Sequence, residues 1–119
     1  MHGVLVFIGC GLGGVSRYAL SLAFQHTARQ GFPWSTFLAN TAGCLLIGIL
    51  LGILSKNPSR GLYCLCVTGF CGGFTTFSTF SNEALQLLRQ GSTAVAVTYV
   101  VLSLLVGLGC VAAGFAVAK

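Results

Sequence analysis

Residues 69–83 hold most of the side chains in this chain that could do chemistry. They read Gly69-Phe70-Cys71-Gly72-Gly73-Phe74-Thr75-Thr76-Phe77-Ser78-Thr79-Phe80-Ser81-Asn82-Glu83, with five hydroxyls, four phenylalanines, an amide and the chain's single acid. The stretch lies inside a long apolar segment, where polar groups are costly and mark pathways or contacts. A lone Ser or Thr there means little, because its hydroxyl can bond back to the carbonyl four residues earlier; the density is what matters. Gly72-Gly73 predicts a break in the helix. A break frees carbonyl oxygens and amide hydrogens at membrane depth, which is tolerated only in a cavity or a protein contact. Carbonyls at such a break suit cations, and N–H ends suit anions. Placed on a two-fold axis, the break would present two sets of carbonyls to one point, where a small monovalent cation such as Na⁺ fits as a structural ion. The structural alternative is a simple glycine kink, filled by water or threonine hydroxyls.

Phe77 and Phe80 are three apart and share a helix face. Aromatic packing is their ordinary role. Here Ser78 and Thr79 lie between them, with Thr76 just before Phe77. A phenyl ring has a positive edge, so such a lining offers a small anion polarised ring edges and hydroxyl donors without a fixed charge. A ring of Arg or Lys would bind the anion more tightly and slow its release.

Three further residues stand out. Asn40 lies well inside the second apolar segment and shares a face with Thr36, four residues before it. Its amide can donate two hydrogen bonds or serve as interhelical glue. Arg17 lies deep enough in the first segment to need a partner or an aqueous vestibule, with the Tyr18 hydroxyl beside it. Glu83, late in the third segment, either faces a vestibule or forms an interfacial salt bridge.

The elements that must position these residues follow from composition. The chain has 119 residues, 55% hydrophobic and 6% charged, with mean hydropathy +0.94. A soluble domain is about 25% charged, so a water-facing globule is excluded, and disorder is excluded by the same numbers. One membrane-spanning helix needs about 20 apolar residues. Breaker-rich segments at 26–31, 56–61 and 89–92 divide the chain into four such helices, at approximately 4–25, 33–55, 62–88 and 93–118. The reading is therefore an all-α membrane protein, a single four-helix transmembrane domain over 1–119 in which the third helix is broken near Gly72-Gly73. The first segment reads as a retained span rather than a signal peptide.

The formal charge is +5. The basic residues are scattered, so no phosphate-tracking patch and no nucleic-acid partner are expected; they read as interfacial anchors in the lipid bilayer. Lys56, Arg60 and Lys119 fall on one membrane face, Arg29 and Arg89 on the other. This balance leaves almost no positive-inside signal, and so predicts both orientations and an antiparallel homodimer. Four thin helices enclose little room, which also calls for a second copy. Gly9, Gly13, Gly14, Gly48, Gly52 and Gly107 read as helix contact points. The six cysteines form no CxxC pair, have no zinc spacing to histidine, and read as small buried hydrophobes. His2 is terminal and His26 lies in a loop; with no nucleophile–base pair visible, an enzyme is not expected.

Taken together the residues resemble the CrcB/Fluc family of fluoride channels, over essentially the whole chain. The stretch from Gly69 to Phe80 is the most specific part. Gly9-Cys10-Gly11-Leu12-Gly13-Gly14-Val15-Ser16-Arg17-Tyr18 is similar to the family's GGxxGAxxRY segment, and Ser35-Thr36-Phe37-Leu38-Ala39-Asn40 to its GTxxVN segment. The departures at Cys10, Gly14, Ser35 and Ala39 are small or apolar exchanges that remove no polar group. The resemblance implies a dual-topology antiparallel homodimer with two fluoride pores and one central Na⁺. By motif position, Phe77 and Phe80 would be the pore phenylalanines and Asn40 the pore amide. Thr36, Ser78 and Thr79 would line a polar track, joined by Tyr99 and Ser103 of the fourth span. Gly72 and Thr75 would supply backbone carbonyls to Na⁺. Arg17 would lie near a pore vestibule and Glu83 near a pore mouth. The family also implies a prokaryotic inner membrane. The alternative class is a small proton-coupled multidrug exporter of dual topology, for which Glu83 would be the only candidate proton carrier.

Overall fold

The computed structural model describes residues 1–25 and 31–119; the loop expected through His26 and Arg29 falls outside them. Helix α1 runs over His2–Ala23 and α2 over Trp34–Lys56. Pro33 immediately precedes α2, where its missing N–H costs nothing, and its carbonyl accepts the Phe37 N–H at 3.1 Å. The third span is in two pieces. Its first piece, α3 (60–74), opens with an α-helical turn at Arg60–Leu62, continues as π-helix through Tyr63–Cys71 and closes with an α turn at Gly72–Phe74. The Ser59 hydroxyl caps it by accepting the Leu62 N–H at 3.2 Å. The second piece, α4, is Ser78–Arg89. Gly91 then turns the chain at φ 83°, and α5 runs over Thr93–Ala118. Among the described residues four helical spans are long and apolar enough to cross a membrane, the third counted as Arg60–Arg89. Among the described residues there is no strand, as a lipid environment requires of an open, non-barrel chain.

The spans pack as two pairs, α1 along α3 and α2 along α5, with α4 resting on α5. Glycines set the close approach within each pair. A methyl on Gly9 would collide with the Leu65 carbonyl, and one on Gly13 with the Phe70 carbonyl. Gly48 and Gly114 do the same between α2 and α5, against Val111 and Leu45. Gly14 is not such a contact: nothing within the protomer lies within 4 Å of a methyl placed there. A small apolar cluster of Leu87, Ala96 and Tyr99 is buried between α4 and α5, with Phe32, Phe37, Phe80 and Ala84 against it.

The interruption of the third span lies slightly later than the glycines predict. Gly72 is helical, at φ −63° and ψ −36°, whereas Thr75 is extended, at φ −85° and ψ 157°. Of the two glycines, Gly73 serves packing. A methyl on Gly73 would stand 2.9 Å from the Cys10 Cα, so Gly73 lets α1 and α3 touch. The helix ends just after Thr75, where the hydrogen bonds of Thr76 and the Gly73 carbonyl are taken over by side chains.

Candidate functional site

Thr75 ends α3 by bonding twice to one carbonyl. Its N–H and its hydroxyl both donate to the Cys71 oxygen, at 2.9 Å and 2.8 Å. Thr76 then leaves the helix altogether. Its N–H donates to Asn40 Oδ1 at 2.8 Å, and its carbonyl accepts from Asn40 Nδ2 at 3.0 Å. One amide side chain on α2 thus replaces both hydrogen bonds that this peptide would have made in a continuous helix. Buried backbone groups must be paired, and the amide, with both a donor and an acceptor, is the side-chain type able to pair them reciprocally. The Thr76 hydroxyl in turn accepts the Thr79 N–H at 3.3 Å, capping the first turn of α4.

The interruption leaves two opposite helix ends inside one membrane span. The last turn of α3 ends in carbonyls, a partial negative charge; α4 begins in N–H groups, a partial positive charge. Arg17 bonds the first end: its Nε donates to the Gly73 carbonyl at 3.3 Å. The Gly72 carbonyl lacks its usual partner, because the Thr76 N–H points to Asn40. A methyl on Gly72 would meet nothing within 4 Å, and the residue lines an open groove. Among the described residues no group of three or more His, Cys, Asp or Glu side chains can hold a metal. Backbone oxygens of Gly72 and Thr75 are a hard, neutral donor set, and they fit a small alkali cation better than a transition metal.

An open groove of about 390 Å³ runs beside the interruption, between α2, α3 and α5. Asn40, Gly72, Thr75, Phe77, Phe80 and Ser103 all line it. The Phe77 and Phe80 rings lie 5.9 Å apart at 42°, and Phe77 is 78% exposed at the rim. The Ser103 hydroxyl is buried with no hydrogen-bond partner among the described residues. Asn40 retains a second N–H beyond the one given to Thr76.

The remaining polar residues gather at a second point. The Tyr99 hydroxyl donates to Glu83 Oε1 at 3.1 Å, and the buried Thr36 hydroxyl lies against the same pair. Phe80 joins this cluster to the groove, with its ring 5.0 Å from that of Tyr99. Ser78 is exposed at the first turn of α4, and Thr79 is partly buried one residue on. Arg17 is the outlier: it is on α1, across α3 from the groove. Sequence reasoning missed Thr76 as the partner of Asn40, which is 36 residues away. It also missed Phe32 and Phe37, which pack together edge to face, with Phe32 also edge to face with Tyr99. Both stand close to polar residues, but phenylalanine is common in apolar helices and no local pattern tells which ring will face Tyr99.

Comparison with known proteins places this architecture among named relatives. Residues 4–115 match the family model described as CrcB-like protein, Camphor Resistance (CrcB). The chain is 42% identical over 116 residues to a fluoride-specific ion channel FluC of Flavobacterium psychrophilum, covering 96% of this chain and 94% of the relative. It is 42% identical over 106 residues to a protein of the same name from Phocaeicola vulgatus, covering 88% of each. It is 41% identical over 117 residues to fluoride-specific ion channel FluC 2 of Bacillus licheniformis, covering 98% of this chain and 86% of the relative.

Proposed function

The chain belongs to the CrcB family, and on that premise we propose that it is a fluoride-selective, passive ion channel that lowers cytoplasmic fluoride across a bacterial inner membrane. It is a multi-pass membrane protein and a channel rather than an enzyme. The single observation that carries the reading is the interruption between α3 and α4. It sets a helix N-terminus inside a membrane span, flanked by Ser78, Thr79, Phe77 and Phe80. Fluoride is small and strongly hydrated, so it needs good donors when it sheds water. Free N–H groups, hydroxyls and polarised ring edges supply them without a full charge that would trap the ion. HF crosses membranes and dissociates inside at neutral pH, which leaves the anion trapped. A pore driven by the membrane potential, about 2.3 kcal/mol per charge per 100 mV, is enough to expel it.

The path we assign follows the groove. Phe77 and Phe80 hold the ion at its narrow part, with the second N–H of Asn40 and the unpartnered Ser103 hydroxyl as donors. Ser78 and Thr79 continue it at the start of α4. Tyr99 and Thr36 continue it past Phe80, toward Glu83 at the mouth, and Arg17 lies at the vestibule on the α1 side. One protomer supplies only an open groove with Phe77 at its rim, which favours completion by a second, antiparallel copy; the near balance of Lys and Arg between membrane faces favours the same arrangement. The Gly72 and Thr75 carbonyls of each copy would hold Na⁺ at the two-fold axis, where the ion supplies a fixed positive charge that steadies the interrupted helices.

A proton-coupled drug exporter is disfavoured by the site itself. Its only candidate carboxylate, Glu83, accepts a hydrogen bond from Tyr99 and lies late in the third span, and the first span carries no acid at all. The test is growth in fluoride of a bacterium stripped of its own fluoride export. Wild type is expected to restore growth and Phe80→Ile to fail at equal expression. Failure of well-expressed wild type would contradict the proposal.

A further inference from the structure

Three residues beyond Asn40 on the same face of α2, Gly43 is buried against the end of α3. A methyl built on Gly43 would overlap the Thr75 Cγ2, while the next nearest atoms are Phe74 Cδ2 at 3.6 Å and Thr75 Cβ at 3.7 Å. Those two are ordinary van der Waals separations. The clash is therefore with one methyl group only.

That methyl belongs to the residue at which the helix ends. The Thr75 side chain is held at two points: its hydroxyl donates to the Cys71 carbonyl at 2.8 Å, and its methyl fills the notch that Gly43 leaves. A β-branched side chain has few χ1 states, and two fixed substituents leave one. The backbone of Thr75 turns extended at this point, at ψ 157°, and the next peptide is clamped by Asn40. Consecutive residues of the interruption are thus seated by two positions one turn apart on α2.

We propose that Gly43 is a positioning residue for the pore: its missing side chain seats the Thr75 methyl and so fixes the direction in which the chain leaves α3. That direction sets where the terminal carbonyls of α3 and the first N–H groups of α4 point. The inference rests on the channel reading for its flux readout, and on the Gly43–Thr75 contact alone for its mechanism.

A double-mutant cycle tests it, because contacting residues couple and independent ones do not. Fluoride efflux from liposomes is measured per folded protein for wild type, Gly43→Ala, Thr75→Ser and the double variant. Thr75→Ser removes the methyl and keeps the hydroxyl that bonds Cys71. Gly43→Ala is expected to lower efflux about tenfold in the wild-type background, within the two- to hundredfold range of coupled pairs. In the Thr75→Ser background the same change is expected to cost less than about twofold. Equal losses in both backgrounds, or no loss in either, would overturn the proposal. Thermal melting of the same four proteins reads the coupling independently. If Gly43→Ala fails to fold, recovery of the melting transition by Thr75→Ser supports the seat, and no recovery overturns it. A wild type that melts cooperatively yet passes no fluoride defeats the channel reading while the melting cycle still decides the seat.

Discussion

Asn40 makes both hydrogen bonds that Thr76 loses by leaving the helix, so its removal exposes a peptide to lipid rather than merely deleting a contact. Interhelical side-chain bonds in membranes average about 0.6 kcal/mol each, but an unpaired buried donor or acceptor costs about 1–3 kcal/mol. Asn40→Leu is therefore expected to lower stability by about 2 kcal/mol or more, and to abolish fluoride efflux; thermal melting and efflux from the same preparation check both. Tyr99→Phe removes only the bond to Glu83 at 3.1 Å and keeps the ring against Phe80 and Phe32. It is expected to cost about 1 kcal/mol or less, with efflux reduced but measurable. At this scale the sequence was informative about residue types and silent about partners. The polar density of 69–83 and the isolated Asn40 were visible because polar residues are anomalous in apolar helices. That Asn40 bonds Thr76, or that Phe32 and Phe37 wall Tyr99, depends on which helices pair, and no local pattern states that.

The spans themselves were legible because a lipid-facing helix must be apolar for its whole length, and the breaker residues at the loops are unambiguous. The detail inside the third span was not. Intrinsic propensity puts a break at Gly72-Gly73, but the helix continues through both, and the missing side chain of Gly73 serves the contact between α1 and α3. Threonine back-bonding at Thr75 and the Asn40 clamp end it instead, a case of tertiary bonds overriding propensity. The π-helical stretch at Tyr63–Cys71 likewise has no sequence signal; such stretches are rare and occur frequently at functional sites. The glycine contacts give an element-scale prediction. Gly13→Val would drive a side chain into the Phe70 carbonyl, and overpacking of this kind costs about 1–3 kcal/mol or more. The expected result is a lower melting temperature and reduced yield of folded protein by size-exclusion chromatography. Gly14→Ala, where nothing in the protomer lies within 4 Å, serves as the comparison for packing within one chain.

One protomer does not enclose a pore. Its groove of about 390 Å³ is open, and Phe77 stands 78% exposed at its edge. A second copy in the opposite orientation would cover that edge, and the charge count of three basic residues against two across the membrane faces permits both insertions. A reporter for side-specific labelling placed after Lys119 is expected to react from both sides of sealed vesicles in comparable amounts; labelling from one side only would contradict dual topology. Replacing Na⁺ throughout purification by a large organic cation is expected to lower the melting temperature of the assembly if the Gly72 and Thr75 carbonyls hold the ion.

The most direct test of the account is ion efflux from liposomes reconstituted with the purified wild-type protein, followed with a fluoride electrode and a chloride electrode in parallel. The account predicts rapid fluoride efflux on release of the membrane potential, no chloride efflux above protein-free liposomes, and loss of the fluoride signal in Phe80→Ile. Flux of neither ion from protein that melts cooperatively, or equal flux of both, would contradict it.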